Sequence, residues 1–180
     1  MALLPNLPHP KMTIELNKRY ILDKPSIALK LERMALEIAE RNIDADHIVL
    51  AGIEPAGPLM NTILKRYLKE FFAGKVDCIS IKVDDKKQPG KVVVEPMPDL
   101  SSTVLVVTDD VSNSGKTQTY ILKAFLENLP ASIQMLVLVN RSHKKYPVQP
   151  DYVGFSLATT IEEYIDVEIE DGQITGAWMK

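Results

Sequence analysis

The stretch VLVVTDDVSNSGKT, residues 104–117, contains the end of one predicted element and the beginning of another. Its first four residues are apolar and mostly β-branched, which predicts a buried strand that leads to Asp109 and Asp110. A polar loop with one glycine follows, and the apolar spacing of QTYILKAFLENL, residues 118–129, predicts a helix. A strand, a loop and a helix in this order are typical of an α/β sheet.

The remaining apolar patterns continue this alternation. In the segment 24–42, Ile27, Leu31, Met34 and Ile38 fall on one face of a helix. The predicted helices cover 24–42, 57–74 and 118–129, and the predicted strands cover 47–53, 77–83, 91–96, 102–110, 132–140 and 151–157, with a closing strand and turn over 164–179. The expected fold class is therefore α/β, with a mostly parallel sheet flanked by helices.

The strands 77–83 and 91–96 are separated by DDKKQPG, whose Pro-Gly pair favours a turn. We therefore expect these two strands to form an antiparallel β-hairpin. The lone cysteine, Cys78, lies in the first of them, and we expect it to be buried as a small apolar side chain.

Length and composition limit the organisation of the chain. With 180 residues, 46% of them hydrophobic, it has the size of one domain, and its net charge of -3 gives no overall basic field for nucleic acid. No apolar stretch is long enough to cross a membrane, so the expected location is the cytoplasm. Prolines 5, 8 and 10 predict an N-terminal arm over 1–23 before a domain over 24–180. Such an arm could pack on a partner subunit, so we expect a homodimer or a higher homo-oligomer.

The chemistry of the opening stretch follows from its place at the carboxyl edge of a sheet, where ligands bind in α/β folds. The carboxylates of Asp109 and Asp110 suit sugar hydroxyls or a metal ion. The loop after them offers backbone N–H groups, hydroxyls and an ammonium group to an anion at a helix N-terminus; its residues are Ser112, Asn113, Ser114, Gly115, Lys116 and Thr117. A ribose 5-phosphate satisfies both halves.

The stretch also suggests two other interpretations. The ending GKT is shared with the Walker A pattern, but Asp110 stands where that pattern requires its first glycine, so the pattern fails. The acidic pair could also simply cap the following helix, although one carboxylate would suffice for that role.

At this point the stretch resembles the phosphoribosyl-pyrophosphate signature of type I phosphoribosyltransferases. A second stretch, LVLVNRSHKKYPVQPDYVGFSLAT at 136–159, is similar to the corresponding segment of the family of bifunctional pyrimidine-operon attenuation proteins and uracil phosphoribosyltransferases. The resemblance extends from Lys24 to about residue 159. It implies a small hood over the nucleobase in addition to the sheet and the hairpin.

The resemblance also implies roles for individual residues. Asp109 and Asp110 would be the catalytic residues that face the ribose hydroxyls, and residues 112–117 would bind the 5-phosphate. A pyrophosphate loop in GIEPAG would add substrate-binding residues Gly52, Ile53, Glu54 and Gly57. A hood over 141–152 would add Arg141 and Val148. The hairpin over 82–91 would close over the site. Magnesium would arrive with phosphoribosyl pyrophosphate, held by that substrate and water rather than by a set of protein ligands.

Without the resemblance, Arg141, His143, Lys144 and Lys145 would be interpreted as a solvated basic loop, and GIEPAG as a plain turn between a strand and a helix. GIEPAG also departs from the family pattern, because an acid and a proline stand where basic or hydroxyl residues are common. The resemblance implies a phosphoribosyltransferase with uracil as the expected base. The alternative is a catalytically weak, nucleotide-sensing regulator of pyrimidine metabolism. RNA binding is the weaker branch, since Gln149 stands where the family commonly has arginine.

Overall fold

A computed structural model describes residues 19–84, 91–94, 97–158 and 163–179 of the chain. Within these ranges it contains two sheets and three helices. The helices are α1 (Lys24–Arg41), α2 (Ala56–Phe71) and α3 (Lys116–Leu126). The strands are β1 (Arg19–Asp23), β2 (His47–Ile53), β3 (Lys75–Val83), β4 (Val92–Val94), β5 (Val104–Ser112), β6 (Ser132–Arg141), β7 (Tyr152–Leu157), β8 (Ile165–Glu170) and β9 (Gln173–Met179).

The main sheet has six strands in the order β4-β3-β2-β5-β6-β7. All neighbouring pairs are parallel except β3 and β4, which are antiparallel with Ile81 opposite Val94. The predicted α/β class and the predicted hairpin strands are therefore confirmed. The turn of that hairpin, residues 85–90, lies outside the described residues.

The apolar core has two parts because strand side chains alternate between the two faces of the sheet. Ile48 and Leu50 of β2 pack in the cluster that contains the buried faces of α1 and α2, whereas Val49 and Ala51 pack in the cluster with α3. Helices on both faces explain why the central strands read as nearly continuous apolar runs. The predicted inner face of α1, namely Ile27, Leu31, Met34 and Ile38, is buried.

Cys78 is exposed, so the expectation that it is buried is wrong. The reason is its position on β3, one strand from the edge of the sheet. The edge strand β4 pairs only with Ile81, Lys82 and Val83. The part of β3 that carries Cys78 therefore lacks a described neighbour on that side.

A second sheet of three strands, β1-β9-β8, was not anticipated. Its strand β1 consists of the last five residues of the predicted arm, and it pairs antiparallel with β9. The predicted closing segment forms the antiparallel hairpin of β8 and β9. Residues 1–18, with the three prolines of the arm, lie outside the described part of the chain.

No helix in the described ranges combines the length and the apolar character required to cross a bilayer.

Candidate active site

The two adjacent carboxylates lie in the part of β5 that extends beyond its pairing with one neighbouring strand. Pairing of β2 with β5 ends at Gly52 and Thr108, whereas pairing of β6 with β5 continues to Ser112. The next residues of β5, Asp109 and Asp110, therefore lie beside an opening at the carboxyl edge of the sheet. Both line a pocket of about 420 Å³.

Asp109 and Asp110 have different surroundings. Asp109 is only 3% exposed, and its Oδ2 accepts a hydrogen bond from Gln118 Nε2 at 3.2 Å. Asp110 is half-buried, and its Oδ1 accepts from the Val111 backbone N–H at 2.9 Å. The N-cap residue of α3 is Gly115, so the interpretation of the acidic pair as a simple N-cap is wrong. Of the two carboxylates, that of Asp110 is the more accessible to a ligand.

The loop predicted to bind the 5-phosphate, residues 112–117, is called the phosphate loop below. Its residues from Asn113 to Thr117 line the same pocket as the carboxylates, and Ser112 is fully buried behind them. Gly115 has a φ of 81°, a left-handed conformation that glycine adopts without strain. Helix α3 begins at Lys116, two residues earlier than predicted, so the positive end of its dipole faces the pocket.

Residues 141–148, called the clamp segment below, pack against the phosphate loop. Arg141 is 5% exposed, and its Nη1 donates to Asn113 Oδ1 at 2.6 Å. The Lys144 ammonium donates to the backbone oxygens of Ser112, at 3.1 Å, and Asn113, at 3.2 Å, and also to the Ser112 hydroxyl. Burial lowers the pKa of Lys144 to about 8.

The clamp segment is therefore only partly a solvated basic loop. His143 and Lys145 are exposed as that interpretation requires, but Arg141 is buried and Lys144 is half-buried. Among the residues that the structure describes, neither Arg141 nor Val148 lines the pocket. Arg141 supports the loop through Asn113, and the Val148 carbonyl oxygen lies 3.6 Å from the point where a Cβ on Gly115 would be.

The predicted pyrophosphate loop adjoins the site at the end of β2. A Cβ added to Gly57 would lie 2.7 Å from the carbonyl oxygen of Thr108, the residue before Asp109. The Glu54 backbone N–H donates to Ile81 O at 3.0 Å, and Glu54 Oε1 accepts from Ser80 Oγ at 2.6 Å. The Glu54–Pro55 peptide bond is cis. The loop thus lies next to the carboxylates, and its own carboxylate is held by β3.

The opposite wall of the pocket comes from the second sheet and was missed by the sequence reasoning. It consists of residues 164–167, with Tyr164 before β8 and Asp166 within it. The alternation of apolar and acidic residues in IDVEIE, residues 165–170, is the signal that could have indicated a strand with one polar face. In the described ranges, no group of three or more His, Cys, Asp or Glu residues is arranged to hold a metal ion.

Comparisons with known proteins agree with this geometry. Residues 19–171 match the phosphoribosyl transferase domain. The chain is 33% identical over 168 residues to the bifunctional protein PyrR of Streptomyces coelicolor, covering 87% of each chain. It is 33% identical over 165 residues to the bifunctional protein PyrR of Clostridioides difficile, covering 84% of this chain and 91% of that one.

Two solved structures share the fold at lower sequence identity. A hypoxanthine-guanine phosphoribosyltransferase from Bacillus anthracis is 20% identical with a TM-score of 0.69, covering 82% of this chain and 86% of that one. The hypoxanthine phosphoribosyltransferase of Trypanosoma cruzi is 16% identical with a TM-score of 0.72, covering 88% and 95%. The fold, the strand-end carboxylates with their loop, and the matched domain together show that this chain belongs to the type I phosphoribosyltransferase family and is similar to the bifunctional protein PyrR.

Proposed function

We propose that the protein transfers the ribose 5-phosphate of phosphoribosyl pyrophosphate to a nucleobase, with uracil as the base. The observation that carries the proposal is the presence of Asp109, Asp110 and the phosphate loop in one pocket. The choice of uracil as the base rests on the resemblance of residues 136–159 to uracil phosphoribosyltransferases. The pocket of about 420 Å³ has the volume of an ordinary small-molecule site.

The proposed roles follow from position and charge. The phosphate loop binds the 5-phosphate through backbone N–H groups at the positive end of α3. The carboxylates of Asp109 and Asp110 accept hydrogen bonds from the ribose hydroxyls and face the positive charge that develops on the ribose ring as pyrophosphate leaves. This charge makes carboxylates more favourable in the transition state than in the ground state.

Magnesium fits this donor set. Asp109, Asp110 and Asp166 line the pocket, and hard oxygen donors are the ligands that Mg²⁺ prefers. Bound with pyrophosphate, the ion would neutralise the charge of the leaving group. Asp110, the more exposed of the two β5 carboxylates, would contact the ion or one of its waters.

Glu54 favours a second candidate function, a nucleotide-sensing regulator with weak transferase activity. Its carboxylate lies in the predicted pyrophosphate loop, where a negative charge repels pyrophosphate. A nucleoside monophosphate has no pyrophosphate, so its binding is not opposed in this way. The relatives from S. coelicolor and C. difficile are themselves named bifunctional. RNA remains the weaker partner in this proposal, because the chain carries a net charge of -3.

The Asp110→Asn substitution tests the site. It keeps the size of the side chain and removes the charge, so we expect the affinity for ribose 5-phosphate to fall about tenfold or more. Isothermal titration calorimetry with ribose 5-phosphate, magnesium phosphoribosyl pyrophosphate and uridine monophosphate measures this. Asp99→Asn, a change of the same charge outside the pocket, is the control and leaves the affinities unchanged.

These titrations, together with an assay of uridine monophosphate formation, separate the two functions. Formation of uridine monophosphate from uracil and phosphoribosyl pyrophosphate at ordinary enzymic rates supports the transferase. Tight binding of uridine monophosphate with negligible turnover supports the regulator. Equal affinities of the wild-type and Asp110→Asn proteins for all three ligands would contradict the site assignment.

A further inference from the structure

Three successive carbonyl oxygens of the phosphate loop are hydrogen-bonded by the clamp segment. Those of Ser112 and Asn113 accept from the Lys144 ammonium. That of Ser114 accepts from the backbone N–H groups of Lys145, at 2.9 Å, and Tyr146, at 3.0 Å. The bonding of consecutive carbonyls by one short segment fixes the orientation of the peptide planes between them.

This orientation determines where the N–H groups of the loop point. In a planar trans peptide unit, the C=O bond and the N–H bond of the next residue point in opposite directions. With the three carbonyls turned towards the clamp segment, the N–H groups of Asn113, Ser114 and Gly115 are turned away from it. These three residues line the pocket, whereas no residue of 144–146 does so within the described ranges. The N–H groups therefore face the ligand side.

We infer that Lys144 is a positioning residue of the phosphate site: its ammonium group holds the loop carbonyls and thereby keeps the loop N–H groups directed at the anion. The inference rests on the proposed function, because it takes the 5-phosphate as that anion. Lys144 itself does not line the pocket among the described residues, so it acts through the loop rather than by contact with the ligand.

Lys144 binds two of the three carbonyl oxygens with a single charged group. Hydrogen bonds donated by an ammonium group are stronger than neutral ones, and this group also reaches the Ser112 hydroxyl. Arg141 secures the loop through the Asn113 side chain. Loss of the Lys144 charge therefore weakens the contacts with the Ser112 and Asn113 carbonyls, while the backbone N–H groups of Lys145 and Tyr146 still hold the Ser114 carbonyl.

The Lys144 ammonium group loses its proton within a pH range that a binding experiment can cover. Since burial lowers the pKa of Lys144 to about 8, the group is mostly charged near pH 7 and mostly neutral near pH 9. A ligand that requires the charged form binds more weakly as the pH rises through this pKa. The other ionisable groups on the elements that meet here are Asp109 and Asp110 of β5, Lys116 of α3, Arg141 of β6, and His143, Lys145 and Tyr146 of the clamp segment.

The test compares Lys144→Met and Lys144→Arg with the wild type by calorimetric titration of ribose 5-phosphate near pH 7 and near pH 9. The phosphate of this probe keeps its double negative charge over that interval, because its second pKa is about 6. Lys123→Met, the same charge change on an exposed position of α3, is the control. The wild type and the two Lys144 variants differ in their ionisable groups only at position 144, and the control differs from the wild type only at position 123.

The expected results differ for each protein. The wild type and Lys123→Met bind tightly near pH 7 and up to about tenfold more weakly near pH 9, as the charged fraction falls to about one tenth. Lys144→Met binds about tenfold more weakly near pH 7 and loses most of the pH dependence. Lys144→Arg restores the affinity near pH 7 and keeps it near pH 9, because arginine stays charged.

The possible failures are distinct. A wild type that does not bind ribose 5-phosphate at all would overturn the proposed function. A wild type that binds, with a Lys144→Met variant of equal affinity, would overturn only the role of Lys144. If Lys144→Met is misfolded by circular dichroism, the folded Lys144→Arg variant decides, since a pH profile equal to that of the wild type would overturn the inference.

Discussion

The carboxylate of Glu54 is the residue-scale feature that separates the two candidate functions. It is half-buried, and it accepts a hydrogen bond from Ser80 Oγ at 2.6 Å, which holds it beside the end of β3. A carboxylate about 5 Å from a phosphate oxygen would repel it by about 3 kcal/mol at an effective dielectric constant of about 20. Partial exposure reduces this repulsion through solvent screening.

We expect Glu54→Gln to raise the affinity for magnesium phosphoribosyl pyrophosphate about tenfold, since removal of the charge removes the repulsion. The affinity for uridine monophosphate, which has no pyrophosphate, stays nearly unchanged. Calorimetric titration of both ligands measures the difference. Ser80→Ala is the control because it retains the Glu54 carboxylate and therefore does not raise the affinity. A parallel rise for both ligands would show that the substitution acts elsewhere.

At this scale, the sequence placed Asp109, Asp110 and the phosphate loop beside one another, but it did not predict the contacts of the clamp segment. Asp109, Asp110 and the phosphate loop lie together because they form the end of one strand and the loop after it, and proximity along the chain is readable from the sequence. The contacts of Arg141 and Lys144 with the loop join residues about thirty positions apart. Periodicity carries no information on such a contact, so a buried clamp and a solvated loop could not be distinguished in advance.

At the scale of elements, two glycines allow the backbones of β2 and α2 to approach each other closely where the two elements meet. A Cβ added to Gly52 would lie 2.5 Å from the backbone carbon of Gly57, and a Cβ added to Gly57 would lie 2.7 Å from Gly52 Cα. These contacts are backbone to backbone, so no side chain can move aside to relieve them. The glycines allow α2 to begin directly against β2 and the end of β5.

We expect Gly57→Ala to lower the free energy of unfolding by about 1–3 kcal/mol, the usual cost of overpacking. Urea denaturation followed by circular dichroism measures the change. Gly172→Asn is the control, because a Cβ there meets no atom of the described residues within 4 Å and asparagine tolerates the φ of 70°. Equal stability of the Gly57→Ala and wild-type proteins would mean that the junction relaxes easily.

The sequence predicted elements with long apolar patterns well, because burial on two faces leaves a clear signal. Strand β2 has the predicted bounds, and α1 ends one residue before its predicted end. Strand β5 runs two residues past the predicted end, because pairing with β6 continues through Ser112. Strand β1 was missed since it has only five residues and its partner β9 lies about 150 residues away.

At the scale of the whole molecule, the outer face of α1 carries a stripe of apolar side chains. Leu29 is 67% exposed and Leu36 is 41% exposed, at positions seven residues apart on one side of the helix. Phe155 of the edge strand β7 lies beside Leu29 in a surface groove. This face is the part of the described chain most suited to the subunit contact that we expect.

We expect light scattering at micromolar concentration to show a homodimer or a larger assembly. Replacement of Leu29 and Leu36 by glutamate places charges on the stripe, so it should shift the mass towards that of a monomer. Leu126→Glu, on α3 at a position 61% exposed, is the matched control and leaves the assembly intact. A monomeric wild type would contradict the expectation.

The pairing of β1 with β9 brings together the two ends of the described chain. Arg19 lies directly opposite Met179 in an antiparallel ladder, and such neighbours are only about 5 Å apart. A short linker could therefore connect Met179 to Arg19, and new termini could be opened at the turn beside Gly172, where the backbone has free space. The fold is in this respect almost cyclic, so a circular permutant of this kind keeps both sheets and leaves the pocket at the end of β5 intact.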